Sequence, residues 1–167
     1  MKVLFVCFGN VGRSQLAKGL YNLLTNSSVA DSAGTANDAD FPIILAEKMS
    51  RAEKEHPEFF AEYSKSMLGA GVNMATAKRQ RLTQEMLSGG GYDLIVNIAE
   101  RDQTPAWFRG DNVIWWDIKD PGNSKTVESW LSAHEEIEKR VKRLIEIEET
   151  GGDFHELDDD IDGGQND

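Results

Sequence analysis

Val3-Leu4-Phe5-Val6-Cys7-Phe8-Gly9-Asn10-Val11-Gly12-Arg13-Ser14 is an apolar run that reaches the chain's single cysteine and then turns into a glycine-containing loop closed by an arginine and a serine. Val3 to Val6 read as a buried strand. Ser14 to Leu24 put Leu16, Leu20, Leu23 and Leu24 on one helical stripe, so the loop joins a strand end to a helix N-terminus. At such a junction the first backbone N–H groups lack intrahelical acceptors and the helix dipole adds partial positive charge. Both effects favour a bound oxyanion, and both favour a thiolate at Cys7 over a thiol. Gly9 and Gly12 let the backbone turn its amides inward, Arg13 offers a planar fork matched to phosphate oxygens, and the Ser14 hydroxyl can donate to the sulfur. Cys7 is therefore the candidate nucleophile, and Phe8, Gly9, Asn10, Val11, Gly12, Arg13 and Ser14 the candidate phosphate-binding loop. A cysteine at a strand end is commonly an ordinary buried thiol. Arginine and serine at fixed offsets, with a strand before and a helix after, favour the chemical reading.

The chain has 167 residues, 40% of them hydrophobic, as expected of one soluble domain with a substantial core. No apolar run reaches the ~18 residues of a membrane span, and the N-terminal apolar run is too short for a signal peptide, so a cytoplasmic protein is expected. The net charge of −11 argues against nucleic-acid and anionic-membrane partners, which are bound through basic stripes. One cysteine rules out an internal disulfide, and His56, His134 and His155 lack metal-site spacing, so neither a metal nor a cofactor is expected. His134 falls on an apolar helical stripe and reads as a core histidine. Residues 151–167 read as an acidic disordered tail that could be cut after Gly152 with little effect. Its Asp158-x-Asp160-x-Asp162-Gly163 opens like a calcium loop, but the chain ends before the closing Glu, and a solvated acidic segment explains the match.

Strand and helix patterns alternate. Val29 to Ser32, Asp93 to Ile98 and Asn112 to Trp116 read as further strands. Ile43 onward reads as a helix broken at Pro57, with a second helix through Phe59, Phe60, Tyr63 and Met67. The last helix carries Val127, Trp130, Leu131, His134, Ile137, Val141, Leu144 and Ile145. Such alternation with continuous apolar strands implies a three-layer α/β/α fold around a four-stranded parallel sheet, with ligands at the carboxyl ends of the strands. Trp116-Asp117-Ile118-Lys119-Asp120-Pro121-Gly122 follows one such end. An expelled alkoxide or phenoxide needs a proton, and Asp120 is the candidate acid.

Val6-Cys7-x-Gly9-Asn10-x-x-Arg13-Ser14, Ser32-Ala33-Gly34-Thr35 and the downstream Asp120-Pro121 together resemble the low-molecular-weight protein tyrosine phosphatases, whose superfamily also includes arsenate reductases. Gly71-Val72-x-Met74, Arg79-Gln80, Leu82-Thr83-x-Glu85 and Tyr92-Asp93-Leu94-Ile95-Val96 extend the resemblance over residues 2 to about 149, which makes 1–150 the phosphatase-like domain. The resemblance implies a phosphomonoesterase acting on phosphoprotein or small phosphomonoesters, as a monomer or weak dimer. Cys7 would form a phosphocysteine, Arg13 would hold the equatorial oxygens, and Asp120 would be acid and then base. Asn10, Ser14 and Ser32 would brace the loop. Gly12 stands where many members have a second cysteine, and Thr76 stands where a supporting histidine is usual. Gly122 and Asn123 replace aromatic wall residues, for which Phe8, Phe41 and Trp107 are candidate substitutes. The helical stretch 39–68 is longer than the family pattern. Apolar Val11 resembles the tyrosine-directed branch rather than the arginine-directed one. Arsenate reduction with an external thiol and oxyanion binding without turnover are the alternatives.

Overall fold

Every residue of Val3–Cys7 is buried, as a strand covered on both faces must be. The computed structural model describes residues 1–36, 41–88 and 91–159, without the side chains of 41–45 and 48. Val3–Cys7 is β1, followed by α1 (Arg13–Leu24), β2 (Asp31–Gly34), α2 (Phe41–Glu55), α3 (Pro57–Gly69), α4 (Gln84–Ser88), β3 (Leu94–Asn97), β4 (Val113–Trp115) and α5 (Val127–Thr150), with short 3-10 turns at Arg101–Gln103 and Phe154–Leu157. The strands form one sheet in the order β2-β1-β3-β4. All neighbours run parallel, so Cys7, Gly34, Asn97 and Trp115 come out at the same end. The expected fold is the one observed.

Alternate residues of β1 feed two cores. Val3, Phe5 and Cys7 face α1, α3 and α5 through Leu16, Tyr21, Met67, Trp130, Ile137 and Val141. Leu4 and Val6 face a thinner layer with Leu82, Ile95 and Phe108, where Met86 and Leu87 of α4 pack. The stripe of α1 is narrower than its sequence suggests, because Leu23 and Leu24 are 55% and 47% exposed. In α5, Leu131 is exposed and His134 half-buried, so the core line runs through Trp130, Ala133, Ile137, Val141, Leu144 and Ile147 instead. The break at Pro57 is present, and α3 is integral to the core through Tyr63 and Met67.

The expectation of a disordered segment after residue 150 is corrected over 153–159. Phe154 and Leu157 pack on the core, and the two aspartates that follow satisfy the open edge of β4. Asp159 N donates to Trp115 O (2.9 Å), and Trp115 N donates to Asp158 Oδ1 (2.9 Å). Asp117 N donates to Asp159 Oδ2 (2.7 Å), and Arg140 pairs with that carboxylate at 2.8 Å. An edge strand otherwise leaves such groups unpaired. Asp158, one of the three calcium-loop aspartates, is thereby engaged by backbone, while 160–167 lie outside the described residues. Cutting the chain after Gly152 is now expected to cost roughly 2–3 kcal/mol from the lost hydrogen bonds and apolar burial. For a chain of this size that is a fall in melting temperature of about 4–12 °C. Calorimetry of the truncated protein checks it, and an unchanged melting temperature would mean that the segment does not dock in solution.

Candidate active site

The loop after β1 is shaped from two sides. Thr35 N donates to Cys7 O (2.9 Å) and Ala36 N to Phe8 O (3.1 Å), so the residues leaving β2 hold the first half of the loop. Gly34 permits that approach: a Cβ there would stand 2.7 Å from Phe8 O. Asn10 takes a left-handed backbone (φ 50°), a conformation that asparagine tolerates better than most residues. Gly12 is the N-cap of α1, and Leu16 N donates to its carbonyl (2.9 Å). Arg13 and Ser14 therefore fall in the first turn of α1, beside the free N–H groups of the helix start.

A directed hydrogen-bond relay ends at the sulfur. Gln80 N donates to Asn10 Oδ1 (3.0 Å), which fixes the orientation of the amide. Asn10 Nδ2 then donates to Ser14 Oγ (3.0 Å), and Ser14 Oγ lies 3.0 Å from Cys7 Sγ. Since Ser14 already accepts from Asn10, its own proton is free to point at the sulfur, an arrangement that stabilises a thiolate. Asn10, Ser14 and Cys7 are all at least 97% buried.

Arg13 is 3% exposed and heavily engaged. Its Nη1 donates to Ile98 O (2.9 Å), Ile118 O (2.7 Å) and Glu100 Oε1 (3.0 Å), and its Nη2 to Glu100 Oε2 (3.1 Å). Nη2 also pairs with Asp120 Oδ2 at 3.1 Å. Burial alone would lower the guanidinium's pKa, but the negative charges of Cys7, Asp120 and Glu100 more than offset it and hold the group above its ordinary value. It is a permanent cation beside the sulfur. Asp120 Oδ1 accepts from Gly122 N (2.8 Å), which anchors the carboxyl group in its own turn.

The structure thus brings Cys7, Asn10, Arg13, Ser14 and Asp120 together at one end of the sheet. Ser32 is adjacent through its backbone, whose carbonyl accepts from Gln80 Nε2 (3.0 Å). The Ser32 hydroxyl is buried and has no partner among the described residues, so the brace expected from it is not made. Thr76 is exposed and bonds only locally, to Asn73 O at 3.4 Å. The loop is steadied instead by Gln80 and by Gln15, whose Nε2 donates to Lys78 O (2.9 Å). The pairing of Glu100 with Arg13 also goes unsignalled in the sequence, because it spans 87 positions and no local pattern points to it. Replacing Glu100 with Gln should leave a buried cation with one anionic partner fewer, costing about 1–2 kcal/mol after allowance for the partial exposure of Glu100. A melting-temperature fall of roughly 2–8 °C is expected. An unchanged value would show that Asp120 alone compensates Arg13.

Glu100 and Asp120 also line a cavity of about 250 Å³ with Trp115, Asp117, Lys119 and Ser124. Of the aromatic wall candidates, Trp107 packs on Phe108 in the thin second core, Phe8 is half-buried in the loop, and the Phe41 side chain lies outside the described residues. The aromatic residues that do line this cavity are Trp115 and Trp116. Among the described residues no cluster of metal-binding side chains occurs, and no helix is long and apolar enough to cross a membrane.

No protein-family model and no curated protein matches the chain. Solved structures do. An arsenate reductase from Archaeoglobus fulgidus is 26% identical, with 86% of this chain and 98% of that one covered at a TM-score of 0.55. Wzb from Vibrio vulnificus, in complex with benzylphosphonate, is 23% identical over 85% of this chain and 94% of that one, at 0.57. The low-molecular-weight protein tyrosine phosphatase from T. tengcongensis is 23% identical over 87% and 98%, at 0.53. With its parallel sheet and its cysteine at the first strand end, this chain has the fold of the superfamily that holds the low-molecular-weight protein tyrosine phosphatases and the arsenate reductases.

Proposed function

We propose that the protein is a cysteine-dependent phosphomonoester hydrolase acting on aryl phosphates of the phosphotyrosine type. The relay from Gln80 through Asn10 and Ser14 to Cys7 Sγ, with Arg13 and Asp120 beside it, carries this reading. In the first step the Cys7 thiolate attacks phosphorus, an S–P bond forms, the P–O bond to the alcohol breaks, and the leaving oxygen takes the proton of Asp120. Arg13 and the amides of residues 8–14 offset the charge on the equatorial oxygens. In the second step Asp120, now a carboxylate, removes a proton from water, which attacks phosphorus. The S–P bond breaks and inorganic phosphate leaves with the thiolate restored.

In the free protein Asp120 shares Arg13 with Glu100. An arriving phosphate dianion competes for the same guanidinium and loosens Asp120 from it, which leaves the carboxyl group able to turn toward the leaving oxygen. The cavity beside Asp120, with the Trp115 ring in its wall, offers room for an aryl leaving group. Apolar Val11 agrees with a tyrosine-directed site.

Arsenate reduction would need a second thiol to take up the arsenic–sulfur adduct. Cys7 is the only cysteine in the chain, so that thiol would have to be external. One experiment separates the two. Purified protein is given an aryl phosphate and, separately, arsenate with glutathione or reduced thioredoxin. Release of phosphate without arsenite formation is expected, and the reverse result would overturn the hydrolase reading.

A further inference from the structure

Tyr63, on α3 in the segment that is long for the family pattern, reaches the anion loop directly. It is 4% exposed, and its hydroxyl donates to Val11 O at 3.0 Å. The ring is held on two sides, edge-on to Trp130 (4.6 Å between centroids, 84°) and parallel to Phe59 (6.3 Å, 2°). Trp130 is fixed in turn by Nε1 donating to Ser66 Oγ (2.9 Å). The same two rings lie against Gly12, where an added Cβ would meet Trp130 at 3.4 Å and Tyr63 at 3.7 Å. A rigid aromatic platform from α3 and α5 therefore backs the Val11–Gly12 peptide.

A trans peptide is planar, and its C=O and N–H point in opposite directions. A group that holds the Val11 carbonyl toward the platform turns the Gly12 N–H away from it. We propose that Tyr63 is a positioning residue which fixes the Val11–Gly12 peptide so that the Gly12 N–H faces the bound oxyanion. This role rests on the reading of residues 8–14 as an oxyanion cradle. The peptide needs such a hold, because Gly12 has no side chain to restrict it and adopts an irregular conformation (φ −102°, ψ −89°). Burial, opposed by the charge of Arg79 and aided by that of Cys7, keeps the phenol of Tyr63 well above its ordinary range, so it remains a proton donor throughout the working pH range. The α2–α3 segment is thereby more than extra packing: it supplies the back of the loop.

The test compares Tyr63→Phe, which keeps the ring and removes the donor, with Ser66→Ala, which removes the acceptor of Trp130 but leaves the Tyr63–Val11 hydrogen bond in place. Tungstate binding is measured by titration calorimetry, together with the rate of Cys7 alkylation by iodoacetate and the melting temperature. For Tyr63→Phe, tungstate affinity should fall on the order of 10-fold, a part of the 10²–10³ that outright removal of an oxyanion donor costs, and alkylation of Cys7 should be slower. For Ser66→Ala the melting temperature should fall while tungstate affinity stays within two-fold of wild type. Equal affinity losses in both variants, or no loss in Tyr63→Phe, would overturn the role. Tungstate binding does not need turnover. Tight wild-type binding without hydrolysis would count against the hydrolase reading alone, whereas failure of the wild type to bind would overturn the cradle and the Tyr63 role with it.

Discussion

Cys7→Ser should abolish turnover, with a loss on the order of 10⁴ or more in kcat, while leaving oxyanion binding intact or slightly tighter. The two effects have separate causes. Turnover falls because a serine hydroxyl stays protonated where the thiolate does not, and among the described residues no basic side chain is hydrogen-bonded to position 7 to activate it. The side chain against the sulfur is the Ser14 hydroxyl, itself held by Asn10, which donates rather than removes protons. Binding survives because the oxyanion is held by backbone amides and Arg13, none of which the substitution touches. It can tighten because a negative sulfur next to a dianion is replaced by a neutral oxygen. Single-turnover kinetics on an aryl phosphate and tungstate titration read the two separately. Turnover near the wild-type rate would sink the thiolate mechanism. Loss of both turnover and binding would instead mean that the sulfur is part of the loop's architecture.

The first fourteen residues reveal much of this because their signals are local. A run of apolar residues, a cysteine, two glycines and an arginine at fixed offsets specify strand, loop and helix start without help from the rest of the chain. Asp120 was legible for the same reason, as a carboxyl group just beyond a strand end. What escaped is what depends on distant partners. Glu100 clasps Arg13 across the sheet, and Gln80 holds Asn10 through its backbone N–H, a group that every residue except proline possesses. β2 runs from Asp31 to Gly34 rather than from Val29, because Ser32, Ala33 and Gly34 are small residues that carry no strand signal yet fit the tight parallel pairing with β1. Val29 is 40% exposed and stays outside the strand. The segment 153–159 was misread on composition. Its aspartates suit disorder by charge, but here they cap an open strand edge, with Phe154 and Leu157 as anchors. Tyr63 read as one member of an apolar helical stripe, which it is. Its hydroxyl, the functional part, makes its contact 52 residues away.

Asp120→Asn should slow the release of poor leaving groups by about 10² to 10⁴, the usual contribution of a positioned acid, and of good ones far less. An alkoxide or unsubstituted phenoxide must be protonated as it departs, and an amide cannot supply the proton. Nitrophenolate is stable enough to leave as the anion. With nitrophenyl phosphate the first step of the variant should therefore stay fast, while hydrolysis of the phosphocysteine, deprived of its base, becomes limiting and a burst appears. A plot of phosphorylation rate against leaving-group pKa should be steeper than for the wild type. The substitution is otherwise mild, because asparagine can still accept from Gly122 N, as Asp120 Oδ1 does at 2.8 Å. Arg13 keeps Glu100 as its charge partner when the Asp120 carboxylate is lost, so the guanidinium stays compensated and the loop keeps its shape. Tungstate affinity should accordingly rise or hold, since one competitor for Arg13 has lost its charge. Rapid mixing isolates the first step. Equal losses for good and poor leaving groups would reduce Asp120 to a structural partner of Arg13 and move the search for the acid to Glu100, the other carboxylate on the same guanidinium.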